Sequence, residues 1–179
     1  MEIIKKRIKR ERARYDDDGA AHPVVDVNWD RIPADSDDSH IISRIDKKPK
    51  SSHAYYNCMG VAAVGTETKT GKRISFLTHQ SPYTVLDEQY GRSFKTALRR
   101  RLKQIQKRSD PDSVSVAHFG GSRGITGKRP EMLKQVRRVT RDAINLAPKV
   151  VRTSRSAGEN PTHAVLDTKR ARLHIFRFY

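Results

Sequence analysis

The chain has 179 residues, with 37 Lys and Arg against 20 Asp and Glu, a formal net charge of +17 and one cysteine. That length suits one domain with a sizeable core. A single cysteine excludes an internal disulfide framework and any cysteine-rich zinc site, and no apolar run approaches bilayer-spanning length.

Residues 1–18 open as a basic, periodic segment that reads as a helix and stops at Asp16-Asp17-Asp18-Gly19. The start, Met1-Glu2-Ile3-Ile4-Lys5-Lys6-Arg7, lacks a secretory apolar region. The expectation is a cytoplasmic, reduced protein in which Cys58 stays a thiol. From there to Ser52 the chain is Asp, Pro, Ser and Lys, with short apolar stretches at residues 24–29 and 41–42 and Trp29 as an anchor. Residues 1–51 therefore read as an N-terminal arm, disordered in part or loosely docked, and residues 52–179 as the domain.

Residues 54–64 and 74–79 are apolar runs of strand length. Residues 92–107 place Phe94, Leu98, Leu102 and Ile105 on one helical face. The run Ser113-Val114-Ser115-Val116-Ala117-His118-Phe119 alternates as a strand and stops at Gly120-Gly121. A second amphipathic helix over 131–147 buries Met132, Val136, Val139, Ala143 and Leu146, with Pro130 in its first turn and Pro148 at its stop. Residues 150–152, 162–167 and 172–178 close as strands. The order β-β-α-β-α-β-β-β predicts an α/β fold: a single-domain layered sandwich, mixed sheet with two long helices packed on it. Gly120-Gly121-Ser122-Arg123-Gly124 lacks the spacing of a dinucleotide or P-loop fingerprint. The double glycine reads as a tight strand exit or a close approach of the next loop.

The chemistry-bearing pair lies in the first two domain strands. Cys58 stands in one and His79 ends the other, across a polar linker over 65–72. Antiparallel pairing would bring thiol and imidazole to one sheet edge. A free thiol, with pKa ~8.5, is mostly protonated at neutral pH, and an adjacent imidazole lowers that value and handles the proton. Against this stands the ordinary reading of a lone cysteine as a small buried hydrophobe.

This order of elements, and the residues at its joints, resembles the receptor glutamine deamidases of bacterial chemotaxis, the CheD family. Three segments carry the resemblance: Asn57-Cys58-Met59-Gly60-Val61-Ala62, Phe76-Leu77-Thr78-His79 followed by Pro82, and Ala117-His118-Phe119-Gly120-Gly121. Helix, strand, the loop Gly158-Glu159-Asn160 and two strands meeting at Asp167-Thr168-Lys169 extend it over residues 52–178. The resemblance implies a protein-glutamine deamidase with Cys58 as nucleophile, His79 as base and no metal or organic cofactor. Its third member is a Thr or Ser about six residues before the cysteine, here Ser52, with Ser51 and Tyr56 as competitors. The partners implied are a protein bearing an accessible glutamine and a chemotaxis-type regulatory protein. The chain departs from the family at Tyr55-Tyr56-Asn57, where small residues are usual. Toxins of the cytotoxic necrotizing factor type share the constellation, so the likeness speaks to chemistry more than to substrate.

The charge predicts attraction to anionic surfaces: acidic proteins, membrane-adjacent substrates or nucleic acid. The basic runs carry no interleaved aromatics of the kind that stack bases, so nucleic acid rests on charge alone. The rival functions are a non-enzymatic basic binding module on the same fold and another cysteine hydrolase, such as a peptidase or a transglutaminase-like enzyme.

Overall fold

The computed structural model of the protein describes residues 1–8, 13–15, 21–23, 30–31, 41–52, 55, 58–81, 85–120, 128–147, 149–150 and 162–178. Trp29, Tyr56, Pro82, Gly121 and the loop at 158–160 lie outside the described residues. The strands are β1 (Glu2–Ile8), β2 (Ala13–Tyr15), β3 (Ala21–Pro23), β4 (Asp30–Arg31), β5 (Ile41–Ile42), β6 (Lys50–Ser52), β7 (Met59–Thr66), β8 (Arg73–His79), β9 (Ser115–Gly120), β10 (Lys149–Val150), β11 (Thr162–Asp167) and β12 (Arg172–Phe178). The helices are α1 (Glu88–Arg108) and α2 (Lys128–Ile144). From β7 onward the chain follows the expected β-β-α-β-α-β-β-β order.

Strand β7 decides the layering. Met59, Val61 and Ala63 point to one face, Ala62 and Val64 to the other, and all five are buried. A strand apolar on both faces must be covered on both. On the first face Phe94, Leu98, Leu102 and Ile105 of α1 and Met132, Val136 and Val139 of α2 pack with Ile74 and Phe76. On the second face Ala62, Val64, Leu77, Ala117 and Phe119 meet Ala164, Leu166, Leu173 and Ile175. The result is three layers: a sheet of order β1-β12-β11-β6-β4, a sheet of order β10-β9-β7-β8-β5, and the two helices. A small β2-β3 ribbon pairs separately.

Helix α1 is capped by Asp87, whose side chain accepts from the N–H groups of Gln89 at 2.9 Å and Tyr90 at 2.8 Å. Such a cap contributes about 1 kcal/mol. It starts α1 one turn before the apolar periodicity does. Among the described residues no helix is long and apolar enough to cross a membrane.

Three expectations are corrected. Residues 2–8 form a strand, not a helix, paired in parallel with β12 over seven positions from Glu2↔Arg172 to Ile8↔Phe178. Ile3 packs against the intersheet cluster while Lys5 and Lys6 stay exposed, so pairing at an open sheet edge overrides the helical pattern. The segment expected as a loose arm likewise supplies β4, β5 and β6 to the two main sheets and Ile45 to the core. The strand expected at 54–64 begins at Met59, because Tyr55 turns into the space between the sheets.

Candidate active site

Strands β7 and β8 pair antiparallel from Ala62↔Leu77 to Thr66↔Arg73. The ladder continues through mutual bonds of Met59 and Gln80, 2.9 Å from Met59 N–H to the Gln80 carbonyl and 3.0 Å in return. That register sets Gly60 opposite His79. By strand alternation His79 shares the intersheet face with Leu77, and Cys58, just before β7, packs on the same cluster. Thiol and imidazole are thus diagonal neighbours on one face. Cys58 is partly exposed and His79 is 4% exposed.

The other sheet supplies the third group. Ser52 ends β6, paired with Ala164 of β11, and its Oγ lies 2.9 Å from Nδ1 of His79. Residues alternate along β6, so Lys50 and Ser52 are buried between the sheets and Ser51 faces the other way. Of the expected candidates, Ser52 is the one set on His79; Ser51 is directed away from it, and Tyr56 lies outside the described residues.

Buried polar contacts hold β6 in place. The Lys50 ammonium, fully enclosed, pairs with Asp46 and donates to the Lys48 carbonyl at 3.1 Å. Thr168 donates to that same carbonyl at 2.7 Å and lies 2.6 Å from Ser75 Oγ on β8. This chain ties the approach to β6 onto β8 two pleats below His79. A buried cation without such partners would cost several kcal/mol.

Tyr55 was not among the expected site residues. Its ring stacks on His79 with centroids 4.1 Å apart and planes at 18°, and its hydroxyl donates to the Thr78 carbonyl at 2.9 Å. Phe119 meets Tyr55 edge-on at 5.0 Å. Phe119 can do so because position 60 is glycine: a Cβ there would sit 2.2 Å from its ring. Burial pushes the Tyr55 phenol far above its ordinary range, a hydrogen bond with Ser52 pulls it back, and the charge of an ionised Cys58 pushes it up again. Ser52, Tyr55, Cys58 and His79 therefore form one electrostatic cluster. The sequence signal was the aromatic Tyr55-Tyr56 where small residues were expected.

At the end of β9, Gly120 has φ of +85°, and a Cβ there would lie 2.5 Å from the Cys58 carbonyl oxygen. Of the two readings of the double glycine, the close approach holds at Gly120; Gly121 lies outside the described residues. The nearby His118 is excluded by the same alternation. It pairs with Val61, faces the helices and lies 3.0 Å from Thr140 Oγ1 on α2. Burial, aided by Arg137, pushes its pKa down to about 3, so it stays neutral.

The cluster has the parts of a nucleophile, a base and a group that orients the base. No protein-family model matches the chain, and no curated protein matches it significantly.

Proposed function

We propose that this protein is a Cys–His hydrolase that deamidates glutamine side chains of a protein substrate, in the manner of the CheD-type deamidases whose layered fold and element order its sequence resembles. The observation that carries this reading is the Ser52–His79 contact of 2.9 Å on the face shared with Cys58. A hydroxyl fixed on Nδ1 leaves Nε2 to exchange the proton with sulfur. The hydroxyl accepts from Nδ1–H when the ring is cationic, so it supports a thiolate–imidazolium pair.

His79 takes the thiol proton, and the Cys58 thiolate adds to the carboxamide carbon of a glutamine. The imidazolium protonates the nitrogen as the C–N bond breaks, and ammonia leaves. His79 then removes a proton from water, which attacks the thioester carbonyl. The C–S bond breaks, the sulfur recovers its proton, and the glutamine has become glutamate. The Met59 N–H is committed to the Gln80 carbonyl, so the oxyanion is held by other donors. Tyr55 keeps water off one face of the imidazole and limits its rotation. This chemistry needs no metal or organic cofactor.

The test is incubation with glutamine-bearing proteins, reading ammonia release and a mass gain of about one dalton per site as amide becomes acid. Cys58→Ala should abolish both, since the chain holds no other thiol. Activity surviving in Cys58→Ala would end this reading in favour of the basic binding module. Amine incorporation in place of hydrolysis would move it to a transglutaminase-like enzyme.

A further inference from the structure

Helix α1 presents two opposite faces. Gly91, Phe94, Leu98, Leu102 and Ile105 are buried. The face turned away from them carries Arg92, Thr96, Arg99, Arg100, Lys103 and Lys107, all exposed. At 1.5 Å per residue these form a straight row roughly 23 Å long, with neighbours on adjacent turns. Among the described residues no carboxylate comes within 4.0 Å of these five cations. Helix α2 is also basic but neutralises itself in part, through Lys134–Glu131 at 4.0 Å and Arg138–Asp142 at 3.7 Å. Beside the row, Arg44 and Ile45 close a groove with Arg101, Gln104, Lys107 and Arg108. Partial burial, then repulsion from Arg100 and Arg44, makes Arg101 more acidic than an ordinary guanidinium. The positive potential here is uncompensated by the fold.

The row also has a direction. β8 ends at His79 and α1 starts at Glu88, and α1 runs back along the face of the central sheet opposite to the one that carries Cys58 and His79. Its last residue, Arg108, reaches the opposite edge, where it pairs with Glu67 at 2.6 Å and accepts from Thr68 N–H at 2.9 Å.

We propose that the outward face of α1 is the docking rail for an acidic helical segment of the glutamine-bearing substrate, which holds that substrate on the enzyme while its glutamine reaches the site. This rests on the deamidase reading of the site. Carboxylates at three- and four-residue steps on a helix match the pitch of the row. The face carries no aromatic on which bases could stack, so nucleic acid is the lesser fit.

The test compares the full-length wild type with the triple variant Arg99→Gln, Arg100→Gln, Lys103→Gln, whose positions are all exposed. The probes are a labelled synthetic helical peptide carrying a row of glutamates and one terminal glutamine, the same peptide with serines for glutamates, and a labelled DNA duplex. Anisotropy should show the acidic peptide bound by the wild type and weakened about ten- to a hundredfold in the triple variant at low salt. The serine peptide should bind poorly to both. Turnover of a short neutral glutamine peptide should be unchanged in the triple variant, with the loss on the acidic peptide confined to KM. Equal affinity of both proteins for the acidic peptide would overturn the rail. So would a duplex that binds tighter than the acidic peptide and is lost in the triple variant. If the binding difference holds but no protein releases ammonia, the rail stands and the deamidase reading falls. If ammonia is released equally well from the acidic peptide by both proteins, the rail falls and the deamidase reading stands.

Discussion

The Ser52 hydroxyl and Nδ1 of His79 lie 2.9 Å apart although one residue belongs to β6 in the outer sheet and the other to β8 in the central sheet. The orientation of the imidazole is therefore set by how two sheets pack, not by the β7–β8 hairpin alone. Ser52→Ala should lower kcat about ten- to a hundredfold, as expected when a base loses its orienting partner. Ser52→Thr should recover most of the loss. A steady-state assay on any glutamine substrate checks this, and an unchanged kcat in Ser52→Ala would remove Ser52 from the site.

Tyr55 should act through His79. Tyr55→Phe keeps the stack and loses the hydroxyl's bonds to the Thr78 carbonyl and to Ser52, so it should cost about 1–2 kcal/mol of stability and far less rate than loss of Ser52. Tyr55→Ala opens a cavity between the sheets and should cost about 3–5 kcal/mol. Denaturant titration separates the two variants. Equal stability of both would mean the ring contributes nothing to the packing.

Two glycines are predicted to be intolerant of a methyl group. Gly60→Ala would drive Phe119 off Tyr55, since the new Cβ would lie 2.2 Å from its ring. Gly120→Ala combines φ of +85° with a 2.5 Å approach to the Cys58 carbonyl oxygen. Each should destabilise by more than about 1 kcal/mol, and Gly120→Ala should also slow alkylation of Cys58 by shifting its peptide. Unaltered melting in both would contradict the packing described.

Much of this was legible in the sequence. The strands expected at 162–167 and 172–178 coincide with β11 and β12, and the apolar faces of both helices are the buried ones. Long periodic segments announce themselves because each must bury one face. Residue type and spacing singled out Cys58 and His79, whereas Ser52 came forward only through the family resemblance, with Ser51 and Tyr56 beside it. Strands as short as β5 and β6 carry no period, and β1 is a strand only because β12 offers an open edge. Tyr55 could not be assigned for the same reason: its partners His79 and Phe119 are set by strand register, not by local sequence.

The N-terminal strand gives a further prediction. Deleting residues 1–8 uncovers the edge of β12 and removes Ile3 from the intersheet cluster. The truncated chain should melt earlier and aggregate more readily. Removal of residues 1–48 also takes β4, β5 and Ile45, so cooperative unfolding should be lost rather than preserved. Calorimetry of both truncations decides it.

His118 should make stability pH-dependent. Its folded pKa, about 3, lies below its unfolded value of about 6.5, so the unfolded chain binds the proton first. Its contribution is present above pH ~6.5 and is lost as pH falls toward 3, with a slope of up to about 1.4 kcal/mol per pH unit. His118→Met should flatten that part of the profile. A wild-type stability that does not fall over this range would contradict a buried neutral His118.

The most direct measurement is the rate of iodoacetamide alkylation against pH, in wild type and His79→Ala. With one cysteine in the chain, the signal belongs to Cys58 alone. A thiolate supported by His79 should react with an inflection well below the ~8.5 of a free thiol, and that inflection should move up in His79→Ala. An inflection at the free-thiol value in both proteins would contradict the pairing of Cys58 with His79, and with it the hydrolase.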